Sequence, residues 1–128
     1  MVRTMWMRCN VNPARNNTGD CVIRACAMAL NKTWLQVSDE IYALSRKHYL
    51  SMCDDHLWGR YLYEQGFVPF LLPESCPSCI TVKRFCVMYP RGTYIIGTGS
   101  HAVAVIDGNY YDSWDSGNEI PSYFWQIK

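Results

Sequence analysis

The Asp107-Gly108 pair, set between HAVAVI and NYYDSW, constrains this chain more than any other feature. Asp-Gly between two runs rich in β-branched and aromatic residues is the strongest short-range signal for a two-residue hairpin turn. It pairs Ile106 with Asn109, Val103 with Asp112 and Ala102 with Ser113. Side chains alternate along a strand, so His101, Val103 and Val105 share one face. Asp112 falls on that face, diagonal to His101, where an imidazole and a carboxylate reach each other. Register has to hold for this, because a slip of one residue moves every side chain to the other face.

Upstream of the hairpin the texture is helical. RCNVNPARNNTG, residues 8–19, is polar, carries Pro13 and Gly19, and reads as a loop. Asp20 follows as an N-cap for a helix to about Leu30, with Val22, Ala25, Cys26 and Ala29 at helical spacing. Thr33 to Gln36 matches a capping box and opens a second helix, whose apolar stripe includes Trp34, Val37, Ile41 and Leu44. A third short helix runs from Asp54 or Asp55 to about Gln65, stopped by Gly66. FVPFLL is an apolar stretch, PESCPSC a loop, and Thr81 to about Tyr89 a fourth short helix. Strands follow at TYIIG and in the hairpin, with a last one around Tyr123–Ile127. Helices first and strands last predict an α+β domain, N-terminal helices packed on a C-terminal antiparallel sheet.

Composition limits the function classes. The chain has 128 residues, 49% hydrophobic, which suits one globular domain over 1–128 and argues against disorder. A formal charge of +1 speaks against a nucleic-acid binder. No apolar run is long enough to span a membrane, and Met1 to Met7 is not read as a secretion signal. Seven cysteines, an odd number, fit reduced thiols in a cytoplasmic compartment better than a disulfide framework.

Reduced cysteines are packing residues, metal ligands or nucleophiles. Cys21 stands at the first turn of its helix, where the dipole and free backbone N–H groups favour a thiolate. With His101 and Asp112 it composes the Cys–His–Asp set of acyl-transfer enzymes. Asn16 and Asn17, in the preceding loop, are the side-chain amides available to bind an oxyanion beside the helix N–H groups. The plain alternatives are a buried packing thiol for Cys21 and a strand-capping histidine for His101. Trp114 packs beside His101 or simply in the core. Asp115 is a turn residue in Asp115-Ser116-Gly117 or a helper behind the site. Arg24 has no role beyond pairing with an acidic side chain.

A second constellation competes. Cys53 and His56, with Cys76 and Cys79, make a C-x2-H and C-x2-C set acceptable to structural zinc. Cys76 and Cys79 alone could be a redox pair, and all four could be unconnected. The catalytic reading itself requires no cofactor.

The Cys at a helix start after a Gly- and Asn-containing loop, with a distant His on a strand, resembles papain-like cysteine peptidases. His101-Ala102-Val103-Ala104 is similar to the family's His-Ala-Val segment, and Asp112-Ser113-Trp114 to its Asn-Ser-Trp segment. Asp20-Cys21 looks more like the bacteriocin-processing minimal peptidases. The resemblance covers the Cys helix and the last hairpin. It implies a minimal papain-like fold and a hydrolase that cleaves a peptide, isopeptide or related amide bond through a thioester. Asp112 would replace the family's orienting Asn, and Arg15 stands at the spacing of its oxyanion-binding Gln. Deamidation and acyl transfer use the same triad. The rival readings are a zinc-stabilised interaction module, without catalysis, and an inactive relative that binds peptide.

Overall fold

The computed structural model describes residues 5–14, 20–52, 54–72, 79–98 and 101–127. Among these, four helices, α1 (Cys21–Leu30), α2 (Trp34–His48), α3 (Asp55–Glu64) and α4 (Val82–Met88), accompany one six-stranded mixed sheet. Its strands are β1 (Trp6–Arg8), β2 (Phe67–Leu71), β3 (Thr93–Gly97), β4 (Ala102–Ile106), β5 (Asn109–Asp112) and β6 (Tyr123–Ile127), in the order β1-β5-β4-β3-β6-β2. The class is α+β, and no helix is long and apolar enough to cross a membrane.

Local sequence explains the elements that were expected. Thr33 accepts from the Gln36 N–H while the Gln36 side chain accepts from the Thr33 N–H, so α2 opens on a complete capping box. Asp107 (φ 50°) and Gly108 (φ 78°) both lie in the left-handed region, the conformation a two-residue turn of the right twist needs. The resulting register pairs Ile106 with Asn109, Val105 with Tyr110 and Ala104 with Tyr111.

Three features differ from the sequence expectation. The sheet is not wholly antiparallel, because β1 lies parallel to β5, with Arg8 beside Asp112. Nor do the helices all precede the strands: β1 comes first, and FVPFL forms β2 between α3 and α4. Pro69 is tolerated there because β2 is the sheet's edge, where its missing N–H breaks no inner ladder. Finally, helices cover both faces. Ile95, Ala102 and Ala104 join the core made with α1, α2 and α3, whereas Val103, Val105, Ile96 and Phe124 pack with Val82, Phe85 and Cys86 of α4. Burial on both sides explains why β3 and β4 read as unbroken apolar runs. Each large side chain buried this way contributes on the order of 2 kcal/mol of transfer free energy.

The α1 contact positions the site. Ala25 and Cys26 are fully buried in the core that holds Ala102 and Ala104 of β4. Small residues on both partners let helix and strand approach closely. The N-terminus of α1 thereby comes to the start of β4.

Candidate active site

Cys21 is the first residue of α1, and His101 immediately precedes β4. The half-buried thiol is within hydrogen-bonding reach of the His101 ring and of the Ala102 backbone N–H. Nε2 of His101 lies 2.5 Å from Oδ2 of Asp112. With Nε2 engaged by the carboxylate, Nδ1 is the ring nitrogen left for sulfur. The structure thus brings Cys21, His101 and Asp112 into one connected line.

Electrostatics follow from these contacts. Burial pushes the Cys21 thiol up, but the His101 hydrogen bond, the Ala102 N–H and the His101 and Arg24 charges outweigh it. The thiol ends below its ordinary value. Burial likewise works against the His101 cation, and is outweighed by hydrogen bonds to Asp112 and Cys21 and by their charges. Its pKa is raised to about 9. A lowered thiol beside a raised imidazole is the signature of a thiolate–imidazolium pair.

Asp112 is held from several sides. Its Oδ2 also accepts from Ser116 Oγ at 2.6 Å, and its Oδ1 from the Ser113 N–H at 2.8 Å. Its carbonyl oxygen accepts from the Cys9 N–H (2.9 Å) and from the Trp6 indole (3.2 Å), so β1 and the residue after it pin the backbone. The carboxylate cannot rotate away from the imidazole without breaking these bonds.

Arg24 completes the support. It is buried, donates from Nε to Asp20 Oδ1 (3.1 Å) and from Nη1 to Ser113 Oγ (2.7 Å), and lies 3.9 Å from Asp112 Oδ1. Asp20 occupies the N-cap position of α1, yet its side chain makes no capping bond. That corrects the sequence expectation. The carboxylate instead accepts from Arg24, from Asn12 Nδ2 (2.7 Å) and from the Trp34 indole (2.9 Å). Those three donors offset the burial of the carboxylate and turn it toward Arg24, Asn12 and Trp34 rather than the helix end.

The remaining expected residues divide. Trp114 sits beside His101, ring centroids 5.1 Å apart, and is 43% exposed, so it shields the imidazole rather than filling the core. Asp115 turns away from the histidine and accepts from the Tyr110 hydroxyl and the Gly117 N–H. Asn16 and Asn17, the expected oxyanion amides, lie outside the described residues, as do Cys53 and Cys76 of the expected zinc set. Of that set's other members, His56 is exposed and bonded to Asp54 (3.1 Å), and Cys79 is half-buried. Among the described residues no group of three His, Cys, Asp or Glu side chains is arranged to hold a metal ion.

Sequence reasoning left Arg24 without a function and did not find Ser116. The Asp20–Arg24 spacing of four residues on one helix was a readable sign of a pair. Ser116 gave no sign, since it stands in a turn-type segment and gains its role only from the path of the chain after β5. Comparison with known protein families, with curated proteins and with solved structures found no match for this chain.

Proposed function

We propose that this protein is a cysteine hydrolase of minimal papain-like type, acting on a peptide, isopeptide or related amide bond. The observation that carries the reading is the connected line from Cys21 through His101 to Asp112 at the start of a helix. Cys9, Cys21, Cys26 and Cys86 are free thiols, which suits a reducing, cytoplasmic setting.

The chemistry follows from the contacts. The Cys21 thiolate attacks the carbonyl carbon, and the carbonyl electron pair moves onto oxygen. Backbone N–H groups at the first turn of α1 serve as donors for that oxyanion in this reading, with Asn16 or Asn17 the side-chain donors expected from the sequence. The oxyanion collapses, the C–N bond breaks, and the His101 imidazolium gives its proton to the departing amine. This leaves a thioester and a neutral imidazole. His101 then takes a proton from water, whose oxygen attacks the thioester; the C–S bond breaks, releasing the acid and restoring the Cys21 thiolate beside the His101 imidazolium. Asp112 holds the ring and stabilises its cation in both halves.

The test is alkylation with iodoacetamide near pH 6, with the modified residue located by mass spectrometry. Rapid labelling of Cys21 that collapses in His101→Ala is the expected result. Slow labelling unchanged by that substitution would reduce Cys21 to an ordinary thiol and remove the proposal.

A further inference from the structure

A groove of about 450 Å³ lies between α3 and the β2–β6 edge, walled by Trp58, Phe70, Tyr123 and Trp125. Trp58 stacks on Tyr123 at 6.0 Å between centroids and meets Trp125 edge-on at 6.3 Å. Asp55, exposed at the N-terminal end of α3, is the one charged residue among the described lining residues; its carboxylate accepts from the Trp58 indole at 3.1 Å. The floor includes Gly59, in the middle of α3, where a Cβ would meet only the Trp125 ring at 3.6 Å. Glycine in a helix interior costs about 1 kcal/mol relative to alanine. What its lack of a side chain does here is keep the groove open.

Tyr123 joins the groove to the candidate active site. Tyr123, Gly97 and Ala102 are successive cross-strand partners, and the Ala102 N–H reaches Cys21. Two strand spacings put the backbones of Tyr123 and Ala102 roughly 10 Å apart, the span of about three extended residues. The hydroxyl end of the Tyr123 ring lies over Gly97, the residue between Tyr123 and Ala102.

Resting on the hydrolase reading above, we propose that this groove binds a basic side chain, Arg or Lys, about three residues from the bond presented to Cys21. Aromatic faces accept an aliphatic stem and attract the cation at its end, and a planar guanidinium stacks on them. The Asp55 carboxylate at the rim supplies the complementary charge, and no cation among the described lining residues competes for it.

The probe is a blocked pentapeptide of alanine with one central arginine, compared with the same peptide carrying citrulline, its neutral isostere. The full chain with Cys21→Ala prevents turnover, and the indole N–H signals of Trp58 and Trp125 report where the probe sits. The arginine peptide is expected to bind about tenfold tighter than the citrulline peptide and to shift both indoles. Asp55→Asn, which keeps an acceptor for the Trp58 N–H, should erase that preference, and Gly59→Met should weaken binding of the arginine peptide. Equal affinities, a preference that survives Asp55→Asn, or no binding would each overturn the proposal. Binding needs no activated thiol. Arginine selectivity with an unreactive Cys21 would sink the hydrolase and leave the basic-side-chain site, whereas a reactive Cys21 without selectivity would remove only this site.

Discussion

Arg24 Nη1 donates to Ser113 Oγ at 2.7 Å, tying the helix that carries Cys21 to the chain just beyond Asp112. The same guanidinium holds Asp20 on its own helix. One buried side chain thus fixes the distance between two elements that contribute to the site and are far apart in sequence.

Arg24→Met should therefore cost more than a surface arginine would. It strands the buried Asp20 carboxylate without its cation and frees Ser113 to move. Removing one partner of a buried ion pair typically costs about 3 kcal/mol or more. Urea unfolding should show a loss of that order, with Arg24→Lys intermediate because it keeps charge but loses the fork. A loss under about 1 kcal/mol, the range of surface pairs, would mean the network is not a structural tie.

Thiol reactivity should separate the cysteines by environment. Cys21 is lowered despite burial, whereas burial pushes Cys9 up, Cys86 up to about 12, and Cys26 up strongly. Among these four, the alkylation rate at pH 6–7 should be largest at Cys21 by at least about tenfold. Reaction should hold up from the lowered Cys21 value toward about 9, where His101 loses its proton. A rate for Cys21 that rises only with the ordinary thiol titration would contradict the ion pair.

Much of this site was readable because its geometry is set locally. Asp107-Gly108 fixes the turn, the turn fixes the register, and the register puts Asp112 near His101. Cys21 at a helix start follows from Asp20 at the N-cap position and the helical spacing after it. What was not readable depends on contacts distant in sequence. The three residues of β1 have no pattern of their own and exist as a strand only beside β5. Pro69 hides β2 because its compatibility with a strand depends on that strand being an edge. The cover that α4 gives the second sheet face depends on the chain crossing over, which helix order does not reveal. Arg24 could be paired with Asp20 from spacing, but its bond to Ser113 spans 89 positions.

The paired titrations also predict how stability changes with pH. His101 is raised from 6.5 to about 9, so its contribution is fully present below 6.5 and lost as pH rises through about 9. Cys21 is lowered, so its contribution is present above 9.0 and lost as pH falls through the lowered value. Taken alone, His101 lowers stability as pH rises above 6.5, because the native state keeps a proton that the unfolded chain loses. Once Cys21 ionises, native and unfolded chains bind equal protons at this pair, and the curve levels. His101→Gln should remove the fall, read as the difference in urea midpoint between variant and wild type from pH 6 to pH 9. Parallel curves would show that the two groups are not coupled to folding.

Gly97 gives the most specific structural test, because it connects the two candidate binding regions. A Cβ there would lie 2.2–2.6 Å from the Tyr123 ring, closer than any real contact, so the ring must swing off the strand. Tyr123 also stacks on Trp58, and swinging it would open that pair and alter the aromatic groove. Overpacking of this kind costs about 1–3 kcal/mol. Gly97→Ala is expected to lose stability in that range, while the same change in a Tyr123→Ala background should cost much less. The difference is the coupling between the two positions, expected to exceed about 1 kcal/mol in a double-mutant cycle. Additive effects would mean that Tyr123 does not rest on Gly97, and the path from the groove to Ala102 and Cys21 would lose its middle link.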